Sequence, residues 1–540
     1  MERISCVLNL SSISGSPDAN SNPEFSDASY PIDTKFLENV REEAYYQVRR
    51  VNHHPSLALW CGNNELVLFL VWYAQHQPEM FREQNPRFQK LFLDVLLRHV
   101  FDNSRSISYS FSSTTSGYIS LNHTAEKPMV PRINETADGK IYADSGKYFM
   151  TVGQLFPLSY PCLIVPIADY YNYDASQAFN LSAYPVSRLA VEFGFMSHSN
   201  FETYHRYMPA TSLLVNSSMI YHRNRHYVQL QNATANYSIQ SMNGMGHIEK
   251  AIRLYHPSPS QGGELEHFKR EIYASQLFQA EFYRSQIEYY RYGSGRPQRT
   301  LGSLYWQLND VWAAPTWASV NVDGRWKVLH YVSRAVYENV IVAPYVFEHN
   351  PDVVSIYVTS DLWNPVNATV GIEWFNWAGK RVHTTAPFNA FIGPVNSTFV
   401  TNITMSSLPF NRAEAVAFLT LNASTIGGKT FTSTRIFNPT RFTDPITVSR
   451  IASSSPTPPV TVTYDANSKL FVVESTALAG WIWLDQPEGI KGHFNDNAFW
   501  MLPGRKAVGF TLARGQSPVS DEEFAAWAAK VTIRSLWDSV

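Results

Sequence analysis

The chain has 540 residues, of which 44% are apolar and 16% charged, with a formal net charge of -2. A single hydrophobic core stops growing at roughly 250–300 residues, so this length requires several domains. The balanced charge gives no electrostatic basis for a nucleic-acid or anionic-membrane partner. No apolar run in the chain reaches the about 20 residues that a membrane-spanning helix needs.

Residues 1–23 are rich in Ser, Asn and Pro and read as disordered. The next stretch, Asp33 to His53, places Phe36, Leu37, Val40, Ala44, Val48 and Val51 at helical spacing, with Asp33 as N-cap. Pro55 ends that pattern, and SLALWCGNNE follows as a short apolar run with a polar tip. Such a run reads as a buried strand that delivers Asn64 and Glu65 at its C-terminal end. A helical stretch from about Phe88 to Val100 leads into DNSRSISYSFSS. RLAVEFGF is a second buried strand that carries a carboxylate, Glu192.

Further on, a long helix is expected from about Leu265 to Tyr290, with Gly293 just past its end as a C′ residue. LGSLYWQLND is again strand-like. Helices alternating with strands whose C-terminal ends are polar predict a (β/α) barrel, with chemistry at the C-terminal face. After roughly Ala343 the texture changes to alternating segments such as VVSIYVTS, ATVGIEWFNW, AVAFLTLNAS and LFVVES, separated by turn residues. These predict β-sandwich modules, and the SSSPTPP stretch links two of them.

Three cysteines, Cys6, Cys61 and Cys162, make no disulfide framework. The histidines, including the His53-His54 pair, lack metal-ligand spacing, so neither a metal nor a cofactor is expected. Aromatic residues make up 14% of the chain, which suits both sugar stacking and large β cores. N-x-S/T sequons stand at Asn9, Asn122, Asn134, Asn180, Asn216, Asn232, Asn236, Asn367, Asn396, Asn402 and Asn422, as on a secreted, glycosylated surface. The N-terminus MERISCVLNLSSISGS lacks the pattern of a signal peptide, which leaves a cytosolic chain or a start lying further upstream.

Two buried-strand glutamates match what glycoside hydrolysis requires, because burying a carboxylate is costly without compensation. A retaining enzyme holds its two carboxyl groups about 5–5.5 Å apart, one as nucleophile and one as acid/base. A rim glutamate in a salt bridge is the competing reading for either residue.

NHHPSLALWCGNNE (Asn52 to Glu65) resembles the acid/base segment of family-2 glycoside hydrolases, and VEFGFMSHSNFET (Val191 to Thr203) is similar to their nucleophile segment. LGSLYWQLNDVWAAPTWASVNVDGRWKVLHY (Leu301 to Tyr331) resembles the strand-8 region of the β-mannosidase branch. EFSDASYP, DNSRSISYSFSSTTSGY and DYYNYDASQAFNLSAYPVSRLA resemble the secreted fungal β-mannosidases.

That resemblance implies a multidomain α/β plus all-β chain: an incomplete (β/α)8 TIM barrel over residues 24–342, then immunoglobulin-like β-sandwiches over 343–452 and 453–540. It further implies exo-hydrolysis of terminal β-D-mannose residues with retention, on a manno-oligosaccharide or β-mannoside, in a secreted glycoprotein that forms a homodimer. Glu65 would be the acid/base, Glu192 the nucleophile, and Asn64 a hydrogen-bond partner of the mannose 2-hydroxyl. Trp306 would wall the −1 subsite, with core packing as its alternative. Tyr170 would lie near the nucleophile, with a purely structural tyrosine as the alternative. Arg105 would hold Glu192 ionised, with a rim salt bridge as the alternative.

The chain departs from the family pattern in three ways. The resemblance begins only at EFSDASYP, which implies that two barrel strands and most of a third are missing. The region LVLFLVWYAQHQPEM after Glu65 is short, and MTVGQLFPLSYPCLIVPIA (Met150 to Ala168) reads as retained intron sequence, or else an inserted loop. Two other readings therefore stand beside the hydrolase: a catalytically inactive truncated fragment or sugar-binding remnant of the family, or a different family-2 exo-glycosidase.

Overall fold

The computed structural model describes residues 30–53, 57–64, 66, 70, 73, 77–104, 107, 109–110, 112, 165–224, 226, 244–257, 263–454 and 460–539. It also describes the short strands 6–9, 133–135 and 141–143. The chain divides into two units. The first holds residues 1–170, 185–193 and 298–304, and the second holds the remainder.

The first unit is built on parallel strands. Strand β1 (Cys6–Asn9) pairs in parallel with β2 (Leu57–Cys61), and β2 pairs in parallel with β3 (Tyr109–Ser110). The disorder expected for residues 1–23 therefore does not extend to Cys6–Asn9. Val7 and Leu8 stand opposite Leu59 and Trp60 of β2 in this ladder.

Helix α1 (Thr34–Val51) buries Leu37, Val40, Ala44 and Val48, and Asp33 caps it by accepting from the Phe36 amide at 3.0 Å. Four of the six residues on the predicted stripe are buried, and the other two, Phe36 and Val51, pack partly buried against the same cluster. Helix α2 (Pro78–Phe88) runs into a π-helical stretch over Gln89–Leu96 and then into α3 (Leu97–Asn103). Leu91, Phe92, Leu93, Val95, Leu96 and Leu97 are buried there with the α1 stripe and Trp60 in one cluster.

A second parallel sheet follows the order β4 (Val165–Tyr170), β5 (Ser187–Phe193), β6 (Gly302–Ser303). The end of the stretch read as intron or insert, residues 165–168, is part of β4. The end of the apolar run, Val165 to Ala168, pairs in parallel with residues of β5 that lie 22 positions on. LGSLYWQLND, expected as a strand, is one only over Gly302–Ser303 and continues as a loop.

In the second unit, α4 (Gly244–Tyr255) and α5 (Glu264–Tyr292) pack against each other, and α6 (Val328–Val336) packs against α5. Helix α5 ends in a right-handed turn at Gly293 (φ −58°), so Gly293 is not the left-handed residue expected past its end. A 3-10 turn over Gly293–Gly295 continues the winding.

The first sandwich sets the sheet β12 (Asn396–Thr404), β8 (Val353–Ser360), β7 (Val340–Val346) over a second, ordered β10 (Arg381–Thr384), β9 (Val366–Asn376), β13 (Ala415–Thr425), β14 (Thr430–Phe437). Strand β11 (Phe388–Ile392) also pairs with β9. Alternation decides the faces: Val366, Ala368, Val370, Ile372 and Trp374 point inward, while Asn367 and Thr369 point outward. A second all-β core gathers Phe471, Val473, Ile482, Leu484, Phe494 and Val508, and Asp521–Ala528 adds a helix closed by a capping box at Ser520 and Glu523. No helix among the described residues is long and apolar enough to cross a membrane.

Candidate active site

Strand β5 carries Glu192 next to its C-terminal end, and parallel pairing sets Asp169 of β4 opposite it, with Tyr170 opposite Phe193. Asp169 and Tyr170 are buried and Glu192 is half-buried. Residues opposite one another in a ladder share a face, and neighbouring strands lie about 4.7–4.9 Å apart. Two carboxyl-bearing side chains thus share one level at the C-terminal end of a parallel sheet, the end where such sheets place their chemistry. Thr300 Oγ1 donates to the Ser187 carbonyl at 2.7 Å, and the Leu301 and Leu304 amides donate to Arg188 and Ala190 at 2.7 Å each. These bonds fix β6 against β5.

Around β2, Trp60 Nε1 donates to Ser104 Oγ at 2.9 Å, and that hydroxyl donates to Asn52 Oδ1 at 2.7 Å. Beyond the strand, Asn63 is buried, and its Oδ1 accepts from Ser112 Oγ at 2.7 Å and from the Leu66 amide at 3.3 Å. Asn63, the residue before Asn64, is thereby held from two sides. Asn64 itself is half-buried. Glu65 and Arg105 lie outside the described residues.

Within the second unit, residues 195–200 are held by side chains of helix α5. Helix α5 presents a buried polar ladder of Ser275, Gln276, Gln279 and Tyr283. Gln279 Nε2 donates to the Phe195 carbonyl at 2.8 Å, and its Oε1 accepts from Ser197 Oγ at 2.8 Å. Gln276 Nε2 reaches the His198 carbonyl at 3.1 Å and Asn200 Oδ1 at 2.9 Å. Tyr283 donates to the Trp306 carbonyl at 2.5 Å. Gly194 is required by this closeness, since a Cβ there would fall 1.9 Å from the Tyr283 hydroxyl oxygen.

Trp306 is 36% exposed, which favours a ring open to the surroundings over one packed in the core. Lys327 and Asp310 of the same motif are buried. Burial pushes the Lys327 ammonium down and the Asp310 carboxyl up, while Thr316 Oγ1 donates to Asp310 at 2.6 Å.

Tyr171, Tyr173, His226, His247 and Trp317 form an aromatic cluster in which Tyr173 stacks near-parallel on Tyr171 at 6.1 Å and on His247 at 5.2 Å. Trp317 Nε1 donates to the Tyr173 hydroxyl at 3.1 Å. Burial holds His226 down at about 3 and His247 at about 4, so both imidazoles are neutral above the acid range. No group of three or more His, Cys, Asp or Glu among the described residues is placed to hold a metal.

Sequence reasoning missed Asp169, Asn63, Ser112 and the α5 ladder. Asp169 had one legible signal, its place at the end of an apolar run, as for Glu192. The glutamines had none, since buried amides in a helix look like surface residues in a sequence. Of the sequon asparagines, Asn216, Asn367, Asn402 and Asn422 are exposed, while Asn180 and Asn396 are half-buried. Asn122, Asn232 and Asn236 lie outside the described residues, as do the side chains of Asn9 and Asn134.

Residues 352–441 match the mannosidase Ig/CBM-like domain, and residues 455–539 match the Ig-fold domain of mannosidases. Parallel strands with carboxyl groups near their C-terminal ends thus precede, in the chain, two β-sandwich domains of the kind found in mannosidases. The chain is 39% identical to Beta-mannosidase A of Neosartorya fischeri over 95% of its own length and 53% of the relative's. It is equally 39% identical to Beta-mannosidase A of Aspergillus clavatus, over 95% of this chain and 52% of that one.

Among solved structures, the β-D-mannosidase of Dictyoglomus thermophilum superposes with a TM-score of 0.61 at 16% identity, covering 94% of this chain and 51% of that one. The exo-chitosanase CsxA of Amycolatopsis orientalis gives 0.53 at 14% identity, covering 94% and 54%. The chain spans about half the length of the curated relatives it matches.

Proposed function

We propose that this chain carries the catalytic residues of a retaining exo-β-mannosidase that releases terminal β-D-mannose from manno-oligosaccharides. The observation that carries the reading is the placement of Glu192, half-buried beside Asp169 at the C-terminal end of a parallel strand. In this reading the two parallel sheets are parts of an incomplete (β/α)8 barrel. Glu192 attacks the anomeric carbon, and Glu65 protonates the leaving oxygen and then activates water. Asn64 binds the 2-hydroxyl, Trp306 walls the −1 subsite, Tyr170 flanks the nucleophile, and Arg105 favours the ionised form of Glu192. The exposure of Trp306 supports its part, and the Asn63–Ser112 bond supports a fixed position for Asn64.

Secretion, glycosylation and a homodimer follow the same family reading. The test is turnover of nitrophenyl β-mannoside against the β-galactoside and β-glucuronide by the purified chain. Preference for the mannoside supports the proposal, and preference for another glycoside would make it a different family-2 exo-glycosidase. A chain that melts cooperatively and turns over none of the three is an inactive remnant.

A further inference from the structure

The outer face of the β11–β9–β13–β14 sheet carries a grid of uncharged side chains. Register sets Phe391, Asn367, Ser424 and Thr430 across one level, and Asn389, Thr369, Asn422 and Thr432 across the next. These residues line a shallow groove of about 630 Å³, within the about 300–1,000 Å³ typical of small-molecule sites. Phe391 is 60% exposed there, and Thr369 Oγ1 donates to Asn389 Oδ1 at 2.9 Å. Amides and hydroxyls beside one open aromatic ring suit a neutral, polyhydroxylated ligand, and with no charge among the eight they offer nothing to an anion.

Of the three asparagines that line this groove, two are sequon asparagines, Asn367-Ala-Thr and Asn422-Ala-Ser. They are diagonal neighbours across β9 and β13, a placement that sets residues about 7–8 Å apart. That spacing leaves room for one sugar ring lying on the face, and Phe391 stands directly opposite Asn367.

We propose that this groove is the seat of an N-glycan borne by Asn367, its first sugar lying on the Phe391 ring, with a second glycan at Asn422 standing away from the face. The modification transfers an oligosaccharide from a polyprenyl-pyrophosphate carrier. The Asn367 side-chain nitrogen loses a proton and forms a bond to the anomeric carbon, and the bond from that carbon to the pyrophosphate oxygen breaks with its electron pair leaving on the lipid pyrophosphate. The seated sugar covers apolar surface that would otherwise face water. The inference is independent of the hydrolytic reading, and it concerns only chain that has passed through a secretory lumen.

The test uses the full chain recovered from the medium of a fungal host that secretes it. Glycopeptide mass spectrometry is expected to find Asn367 occupied. Phe391→Ala is expected to lower the melting temperature of the glycosylated chain by roughly 2–4 °C, to have under about a quarter of that effect in an Asn367→Gln background, and to keep its full effect in Asn422→Gln. A bare Asn367 overturns the proposal, as does an equal effect of Phe391→Ala, including none, with and without Asn367. Binding of free manno-oligosaccharide to the Asn367→Gln chain that is lost with Phe391→Ala would also overturn it, making the face a binding site for separate glycans.

Discussion

Gln279 is fully buried, and its amide ties two segments together: Nε2 to the Phe195 carbonyl and Oε1 to the Ser197 hydroxyl, both at 2.8 Å. Replacing it with leucine keeps much of the volume and removes both bonds. The Thr316 carbonyl, a weaker contact at 3.3 Å, still accepts from the Ser197 amide and stays satisfied. The Phe195 carbonyl and the Ser197 hydroxyl keep only long contacts of 3.3 and 3.4 Å. A buried polar group stripped of its partner costs about 1–3 kcal/mol, so two of them predict a loss of about 2–5 kcal/mol after some return from the apolar side chain.

Because the chain has several domains, the assay is native-state hydrogen exchange, which reads opening free energies locally. Amides of residues 195–199 are expected to lose protection in Gln279→Leu. Those of the second sandwich, residues 460–539, should keep it. Ser197→Ala combined with Gln279→Leu should cost less than the sum of the two, by about 0.5–3 kcal/mol. Unchanged exchange at 195–199, or strict additivity, would refute the idea that α5 positions this segment through its amides.

Under the proposed function, Glu192→Gln should lower turnover of nitrophenyl β-mannoside by roughly a thousandfold or more with the fold intact by circular dichroism; a loss under tenfold would remove Glu192 from the mechanism. Asp33→Ala should cost about 0.5–2 kcal/mol through loss of the α1 cap, read as earlier exchange of the Phe36 amide. Stability of the second unit should fall as pH drops below about 4.5 and as it rises above about 6.5. Burial depresses His198, His226 and His256 from 6.5 to about 3 and His247 to about 4, so the unfolded chain binds more protons there and stability drops as pH falls below 6.5. Burial raises Glu271 from 4.5 to about 8 and Glu281 to about 7, so the folded chain binds more protons and stability drops as pH rises above 4.5. The two trends oppose each other between those values; a melting temperature that climbs steadily from pH 4.5 to 8 contradicts the burial of these carboxyls.

The sequence by itself determined the local elements and the residue types at their ends. The stripe of Leu37, Val40, Ala44 and Val48, the cap at Asp33, the runs ending at Asn64 and Glu192, and the inward alternation of β9 are periodicities carried by a few consecutive residues. A short window of chain is enough to read them, because each reflects one face meeting a core.

Only the tertiary structure decided which of those ends meet. Asp169 stands opposite Glu192 through a register between strands whose starts lie 22 residues apart, with a shift inside it that no local pattern encodes. Cys6–Asn9 became a strand because β2 offered it a ladder. The glutamines of α5 are buried, where their composition suggests surface, because backbone carbonyls of distant loops satisfy their amides. Asn367 and Asn422, 55 positions apart in the chain, share one groove because β9 and β13 are neighbours. Pairings of this kind depend on the sum of many contacts over the whole core, and a sequence window contains only one side of each.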